Sequence, residues 1–238
     1  MDNGWTGSAQ AWIDAQGADG DWTRRHVLDA PMLARVDAGA FRKALDIGCG
    51  EGRFCRMMRA RGIAATGIDP TAPLIETARA RDPGGDYRIA AAEALPFPEG
   101  AFDLVVSYLS LIDIAGLEDA IAGMARVLAP GGALLIANLA SFATASVDPS
   151  GGWVRDAAGQ RRHFAIDHYL EPRAARVSWA GIAIENHHRP LSAYMGLLLA
   201  QGLRLTHFEE PRADPADPAR KAAYDRVPYA FLMEWRKI

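Results

Sequence analysis

The run LDIGCGEGR at residues 45–53 places three alternating glycines between a short apolar stretch and a segment with helical spacing. Glycine adopts positive φ values without steric penalty and lets the backbone approach a ligand closely. The helix that follows presents unpaired N–H groups at its first turn. A strand, a glycine turn and a helix in this order therefore predict a ligand-binding turn of an α/β fold.

A regular alternation of strands and helices surrounds this turn. The predicted strands are Ala44–Ile47, Ile63–Ile68, Tyr87–Ala91, Asp103–Ser107 and Ala133–Asn138. The predicted helices are Arg53–Arg61, Pro73–Arg81 and Leu117–Leu128. Short apolar strands that alternate with helices indicate a parallel sheet covered on both faces. Such sheets bind their ligands outside the carboxyl ends of the strands.

The alternation stops after the fifth predicted strand and resumes about fifty residues later. The next helix is predicted at 190–201, and strands follow at 203–209 and 228–235. Ordinary strand-to-helix loops have about 2–6 residues, so the intervening segment is an insertion with its own structure. Its composition predicts strands at 162–170 and 175–185. We expect a β-rich cap at the edge of the sheet where the ligand binds.

Four regions follow from this pattern in a chain of 238 residues. They are an N-terminal helical segment at 1–40, a ligand-binding core at 41–140, a substrate cap at 141–189 and the C-terminal part of the core at 190–238. The apolar residues of 24–36 recur at helical spacing, which supports helix in the first region.

The composition disfavours several classes of protein. A net charge of −3, from 26 basic and 29 acidic residues, offers no general attraction to a phosphate backbone, so no nucleic-acid partner is expected. The sequence has neither a signal peptide nor an apolar run long enough to cross a bilayer, so no membrane association is expected. Two cysteines and six scattered histidines match no standard metal site. We expect a cytoplasmic protein without a metal, and the sequence gives no indication of its oligomeric state.

Two aspartates narrow the choice of ligand. Asp46 precedes the first glycine of the turn by two positions, and Asp69 ends the second strand, 19 residues after Gly50. A carboxylate in the position of Asp69 can accept both ribose hydroxyls of a nucleoside. The dinucleotide pattern requires a different glycine spacing, and this chain has Arg53 after its last loop glycine. An acid at Asp46 can hold an ammonium group, which gives no advantage with a dinucleotide pyrophosphate.

Four segments in series resemble the class I S-adenosylmethionine-dependent methyltransferases. They are LDIGCGEGRF, GIDPTAPLIETAR, AAEALPFPEGAFDLVVS and RVLAPGGALLIAN, and they span roughly residues 41–140. The resemblance implies a Rossmann-like α/β fold: a doubly wound, mostly parallel, seven-stranded sheet with an antiparallel last strand, here with the β-rich cap inserted after strand 5. It also implies S-adenosyl-L-methionine as the cofactor.

The resemblance assigns a part of this cofactor to each matching position. The methionine end would be held by Asp46, Gly48, Cys49 and Gly50. The ribose would be held by Asp69, with Pro70, Ala92 and Glu93 around the adenine and Ser107 and Tyr108 beside the sulfonium and its methyl group. Many relatives carry an acid two positions before Glu93, where this chain has Ala91, so the corresponding contact with the adenine amino group is missing from the pattern.

Three residues are candidates for catalysis. Methyl transfer by direct displacement depends on alignment, and it requires a base only if the acceptor must lose a proton early. His187 and His188 precede the predicted helix at 190–201, whose N-terminus should lie at the ligand edge. Histidine titrates near neutral pH and suits a base, although both residues fit the polar end of a strand equally well. Tyr108 is the third candidate, because an aromatic ring tolerates a nearby cation.

Other polar and aromatic residues have structural interpretations. Arg189 is expected to pair with Glu185 or Glu171. Trp12 and Trp22 either close the cofactor pocket or pack in the core, and packing is preferred.

The favoured hypothesis is a methyltransferase that acts on a small-molecule acceptor at O, N or C, because the large cap suggests an enclosed substrate. The alternatives are a catalytically silent cofactor-binding protein and a nucleotide-dependent oxidoreductase. The intact glycine loop disfavours the former, and Arg53 in place of a glycine disfavours the latter.

Overall fold

A computed structural model describes residues 3–146 and 152–238. Residues 1–2 and 147–151, which belong to the predicted N-terminal segment and cap, lie outside the described residues. The strands are β1 (Lys43–Ile47), β2 (Ala64–Asp69), β3 (Asp86–Ile89), β4 (Phe102–Tyr108), β5 (Leu128–Leu139), β6 (Trp153–Arg155), β7 (Arg161–Phe164), β8 (Arg173–Trp179), β9 (Ile182–His188), β10 (Leu203–Glu209) and β11 (Ala230–Lys237). The α-helices are α1 (Trp5–Gln16), α2 (Asp29–Ala38), α3 (Arg53–Arg59), α4 (Ala72–Arg81), α5 (Leu117–Val127), α6 (Ser141–Thr144), α7 (Leu191–Ala200) and α8 (Pro218–Tyr224).

Seven of these strands form one sheet in the order β10-β11-β5-β4-β1-β2-β3. Strands β1 to β5 pair in parallel, and β11 runs antiparallel to both β5 and β10. The predicted mostly parallel, seven-stranded sheet with an antiparallel last strand is therefore confirmed.

Alternate residues of the central strands face two separate apolar cores. Leu45 and Val105 point into the core that α5 and α7 cover, whereas Ala44 and Val106 point into the core that α2, α3 and α4 cover. Burial on both faces explains why these strands are continuously apolar rather than alternating. Helices on the two faces make the sheet doubly wound, as predicted.

The N-terminal segment folds back over the protein. Helix α1 packs against α4 and β9, with a small apolar cluster of Ala9, Ile13 and Leu74 between them. A turn of π-helix at Arg24–Leu28 then leads into α2. These elements bring the start of the chain next to the glycine turn between β1 and α3.

Two antiparallel hairpins follow β5: β6 with β7, and β8 with β9. The single strand predicted at 175–185 is wrong, because Ala180 and Gly181 have φ values of +45° and +81° and turn the chain between β8 and β9. Two successive positive φ values fit a tight hairpin turn. The amide of Ala183 lies 3.0 Å from Ser8 Oγ, and the amide of Glu185 donates to Asn3 O at 2.9 Å, so β9 is attached to the N-terminal segment.

Candidate active site

The glycine turn is fixed against β2. The amides of Gly48 and Cys49 both donate to Ile68 O, at 2.8 and 2.9 Å. Gly48 and Gly50 have φ values of +73° and +56°, which favour glycine. A Cβ atom on Gly50 would lie 2.8 Å from the Trp12 ring. Trp12 therefore covers the turn, and its close approach depends on the missing side chain at Gly50.

Asp69 connects this turn to the end of β2. Its Oδ2 accepts the amide of Gly50 at 3.0 Å and its Oδ1 accepts the amide of Thr71 at 2.9 Å. Burial raises the pKa of this carboxyl, and the two N–H donors partly oppose that effect. Each carboxylate oxygen has about two acceptor positions, and the Thr71 hydroxyl also hydrogen-bonds this carboxylate, so about one position is left for a ligand hydroxyl.

Asp46 is 2% exposed and incompletely partnered. Its Oδ2 lies 3.4 Å from Cys55 Sγ, whereas its Oδ1 has no hydrogen-bond partner among the described residues. Burial raises the pKa of Asp46 to about 7. A buried, unpaired carboxylate oxygen is costly without a donor, so this atom fits an ammonium group bound beside the glycine turn.

A small pocket opens over Asp46. Its lining residues are Trp12, Gln16, Arg24, Asp46, Gly48, Cys49, Arg53, Phe54 and Tyr108. The Arg24 guanidinium lies 5.6 Å from the Trp12 ring centroid and 5.7 Å from that of Tyr108. The pocket thus places the Arg24 guanidinium, which also pairs with the Asp21 carboxylate, near the acid of Asp46. An amino acid's ammonium and carboxylate groups match this pair of charges.

Asp29 joins the N-terminal segment to the pocket wall. Its Oδ1 accepts the Tyr108 hydroxyl at 2.9 Å and Arg53 Nη1 at 3.0 Å. Burial, reinforced by the Asp29 charge, raises the pKa of Tyr108 far above its usual value. Tyr108 therefore stays neutral, with its hydroxyl engaged by Asp29. Its hydroxyl is a poor candidate for a base, although its ring lines the pocket.

The remaining predicted cofactor residues lie along the same edge of the sheet. Ser107 is fully buried, and its hydroxyl lies 2.7 Å from that of Ser110. The amide of Ala90 donates to Asp69 O at 3.2 Å, which brings the segment before Ala92 beside the end of β2. The predicted adenine neighbours comprise buried Ala92 and exposed Pro70 and Glu93. Glu93 Oε1 accepts a hydrogen bond from the amide of Gly116 at 3.3 Å, so the Glu93 side chain contacts the residue that precedes α5.

Both predicted histidines lie at the end of β9. His188 Nε2 lies 2.9 Å from Tyr169 O and must carry the hydrogen, while Nδ1 lies 2.7 Å from the Thr144 hydroxyl. With both nitrogens engaged, His188 has none free for an acceptor proton, and this geometry disfavours it as a base. His187 Nε2 is buried without a hydrogen-bond partner among the described residues. Burial lowers the pKa of both rings.

Arg189 has a structural role, but its predicted partners are wrong. It donates to the carbonyl oxygens of Leu111, Ile114 and Ala115 at 3.1, 2.6 and 3.0 Å instead of pairing with Glu185 or Glu171. Trp12 covers the glycine turn, whereas Trp22 packs 5.0 Å from the Tyr224 ring and away from the pocket.

Three residues that line the pocket were not predicted as site residues, namely Gln16, Arg24 and Phe54. Arg24 lies within a helical stretch whose apolar side alone was interpreted, and nothing local indicates that it folds over Asp46. Asp113, in the loop after β4, accepts hydrogen bonds from the side chains of Asn186 and Trp5. The only local signal for Asp113 is an acid shortly after the carboxyl end of a central strand.

Among the described residues, no group of three or more His, Cys, Asp or Glu side chains is arranged to hold a metal ion.

Comparison with known proteins places this geometry in a family. The sequence profile of a family described as "Methyltransferase domain" matches residues 45–136. A malonyl-[acyl-carrier protein] O-methyltransferase from Enterobacter lignolyticus is 30% identical over 195 residues, which are 80% of this chain and 75% of that protein. A trans-aconitate 2-methyltransferase from Methylobacterium radiotolerans is 31% identical over 212 residues, which are 82% of this chain and 79% of that protein. Four further relatives named as malonyl-[acyl-carrier protein] O-methyltransferases are matched over less than half of their length.

A solved S-adenosylmethionine-dependent methyltransferase from Mesorhizobium loti superposes with a TM-score of 0.78 at 27% identity, covering 92% of this chain and all of that one. The chain belongs to the S-adenosylmethionine-dependent methyltransferases with the class I fold. This confirms the enzyme class and the cofactor, and it favours the methyltransferase over the oxidoreductase alternative. No helix within the described ranges has both the length and the apolar character needed to cross a membrane.

Proposed function

We propose that this enzyme methylates a small acceptor molecule enclosed between the carboxyl ends of β4 and β5 and the two hairpins that follow β5. The observation that carries the proposal is the unpaired Asp46 Oδ1, buried beneath a glycine turn that Asp69 holds in place. S-adenosylmethionine, when bound, supplies a methyl group on a positive sulfur, which leaves as a neutral thioether. The protein's task is then mainly alignment and exclusion of water.

The two ends of the cofactor would be held by different residues. Asp46 would accept from the ammonium group and Arg24 would pair with the carboxylate of the methionine end. Asp69 would accept from a ribose hydroxyl through the acceptor position that the amides of Gly50 and Thr71 and the Thr71 hydroxyl leave free. Trp12, which lies over the turn, would keep water from the pocket.

The named relatives suggest where to look for the acceptor. One is described as a malonyl-[acyl-carrier protein] O-methyltransferase and another as a trans-aconitate 2-methyltransferase. We propose to test malonyl thioesters and trans-aconitate together with phenols, amines and alcohols, using cofactor with a labelled methyl group. Transfer of label to one class identifies the acceptor. The two free, buried cysteines support a reducing compartment such as the cytoplasm.

A binding experiment tests the cofactor assignment. S-adenosylhomocysteine carries the amino-acid end, whereas 5′-methylthioadenosine keeps only the nucleoside and its thioether. We expect Arg24→Gln to weaken S-adenosylhomocysteine binding about tenfold, because the ligand carboxylate would lose its ion pair with Arg24. Binding of 5′-methylthioadenosine, which has no carboxylate, should be unchanged. The exposed neighbour Arg25→Gln is the matched control. Equal effects of the two substitutions, or no binding of either ligand to the wild type, would contradict the assignment.

A further inference from the structure

The Arg24 side chain that lines the pocket is attached to Asp21, three residues earlier in the chain. Arg24 Nη1 donates to Asp21 Oδ2, and the amide of Arg24 donates to Asp21 Oδ1 at 2.8 Å. The side chains of Arg24 and Asp21 are 16% and 32% exposed, so the pair is partly shielded from water. One carboxylate thus fixes both the backbone and the guanidinium of Arg24.

Asp21 is itself held by Gln16, the last residue of α1. Gln16 Nε2 donates to Asp21 Oδ2 at 3.0 Å, and the amide of Asp21 donates to Gln16 Oε1 at 3.1 Å. Burial alone would raise the pKa of Asp21, but the Arg24 charge and the N–H donors together hold this pKa below its usual value. The carboxylate is therefore ionised at neutral pH, and its position is fixed from α1.

The Arg24 guanidinium keeps one edge without a partner. Among the described residues, its hydrogen bonds are confined to Asp21, through Nη1, so Nε and Nη2 are not engaged. The N–H bonds of Nε and Nη2 run nearly parallel, and this edge matches the two oxygens of a carboxylate. The ring centroids of Trp12 and Tyr108 lie 5.6 and 5.7 Å from the guanidinium carbon. The free edge therefore belongs to a cation that the pocket already holds between aromatic rings.

A second acid lies near this guanidinium and does not bind it. Asp46 is 2% exposed, and its Oδ1 has no hydrogen-bond partner among the described residues, although the Arg24 charge acts on this carboxyl. A cation near an unpaired, buried carboxylate is strongly attracted to it. Direct pairing of Arg24 with Asp46 would occupy both charged groups of the pocket at once.

We propose that Asp21 is a positioning residue that keeps Arg24 from pairing with Asp46. This inference rests on the proposed function. With the two charges held apart, Asp46 stays open for the ammonium group of the cofactor, and the free edge of Arg24 stays open for its carboxylate. The guanidinium then lies between the Asp21 carboxylate and the bound carboxylate and reduces the repulsion between them. Because Arg24 is fixed before the ligand arrives, little side-chain freedom is lost on binding.

A double-mutant cycle tests whether Asp21 acts through Arg24. Asp21→Asn keeps an oxygen that can accept the Arg24 amide, but it removes the charge that holds the guanidinium. We expect this variant to bind S-adenosylhomocysteine about fivefold more weakly and to bind 5′-methylthioadenosine, which lacks the amino-acid end, like the wild type. In the Arg24→Gln background, Asp21→Asn should have no further effect.

Two other variants make the cycle specific. Asp19→Asn, at an exposed position in the same loop, is the matched control and should bind both ligands like the wild type. Gln16→Met removes the side-chain donor to Asp21 without removing the charge of Asp21. It should show a smaller loss than Asp21→Asn, again for S-adenosylhomocysteine alone.

The pH dependence of binding is a second measurement, and a purely structural role of Asp21 would not change it. Wild-type affinity for S-adenosylhomocysteine should level off near pH 7, where Asp46 ionises. In Asp21→Asn the released guanidinium of Arg24 approaches Asp46 and favours its ionised form, so the pKa of Asp46 falls and affinity should level off at a lower pH. The charged or titratable groups that act on Asp46 are Arg24, Cys49, Cys55 and Asp69.

Three results would overturn the proposal. Stronger binding of S-adenosylhomocysteine to Asp21→Asn would show that Asp21 competes with the ligand carboxylate. An equal loss for both ligands, or a loss that persists in the Arg24→Gln background, would show that Asp21 acts on the fold in general. An unchanged pH profile in Asp21→Asn would show that Arg24 does not move toward Asp46.

The same data separate this proposal from the proposed function. If Arg24→Gln does not weaken S-adenosylhomocysteine binding relative to 5′-methylthioadenosine, the cofactor assignment itself fails. If Arg24→Gln has the expected effect and Asp21→Asn has none, only the role of Asp21 fails.

Discussion

The Tyr108 hydroxyl donates a hydrogen bond of 2.9 Å to Asp29, which joins the carboxyl end of β4 to the first residue of α2. Arg53, the first residue of α3, contacts the same carboxylate. Three elements that surround the pocket thus meet at one acid. This contact adds a polar link to the apolar packing that holds the N-terminal segment over the glycine turn.

Loss of this charge should loosen the segment. We expect Asp29→Asn to destabilise the protein by about 1–3 kcal/mol, because the partly buried Arg53 loses its ionic partner, and to weaken cofactor binding. Urea unfolding and calorimetric titration with S-adenosylhomocysteine provide the two measurements. Asp37→Asn is the control, since Asp37 also lies on α2 and pairs with Arg61 at 2.7 Å, but is 55% exposed. A similar loss of affinity in both variants would contradict the specific role of Asp29.

Asp69→Ala should weaken S-adenosylhomocysteine and 5′-methylthioadenosine binding alike, by about 1–3 kcal/mol, because both ligands carry the ribose. The substitution also leaves the amides of Gly50 and Thr71 without their acceptor, so stability should fall as well. Asp103→Ala is the matched control, since it removes an acceptor of two amides, those of Arg42 and Lys43, at the other end of β1. Undiminished binding of both ligands to Asp69→Ala would show that Asp69 does not hold the ribose.

Gly50→Ala should abolish cofactor binding. The new Cβ atom would lie 2.8 Å from the Trp12 ring, in addition to the strain of a φ of +56°. We expect a stability loss of about 1–2 kcal/mol from the backbone alone. Gly131→Ala separates the two effects, because Gly131 has a φ of +76° and open space where its Cβ would lie. If both variants bind S-adenosylhomocysteine like the wild type, the close approach of Trp12 has no role in binding.

Binding of S-adenosylhomocysteine should strengthen as pH rises toward 7. The pKa of Asp46 is about 7 in the free protein, so below that value the ammonium group must displace a proton. Affinity should therefore increase by up to about tenfold per pH unit below 7 and level off above it. Titrations between pH 5.5 and 8.5 measure this, and Asp46→Asn should bind weakly with a flatter profile. A wild-type affinity that is constant over this range would mean that Asp46 does not meet the ammonium group.

The sheet and the glycine turn could be predicted because their signals are local. Continuous apolar strands, alternating glycines and an acid at the end of β2 each lie within a few residues of the structure that they specify. The cap was harder to interpret. Its turn at Ala180–Gly181 lies inside an apparently continuous strand, and only the glycine marks it.

The contacts of the site across distant parts of the chain could not be predicted. Asp113 and Asn186 are 73 positions apart, and they meet only because β9 packs beside the loop after β4. Arg24 reaches the pocket because the N-terminal segment folds back over the sheet. Helix α8 is different, since Asp217 caps its start by accepting the amide of Arg220 and Pro218 follows it. That signal is local, so the start of this helix can be predicted from the sequence.

Arg189 sets a condition for exchanging substrate-binding parts between relatives. A graft that replaces β8 and β9 with foreign hairpins, but omits this arginine, would leave three backbone oxygens after β4 without a donor. A chimera would then lose its reactive geometry even if the new hairpins bound their substrate well. The acceptor specificity of this enzyme should therefore be transferable only when the β8–β9 hairpin with Arg189 and the loop after β4 are exchanged together. Recombination that separates these two segments should yield inactive hybrids.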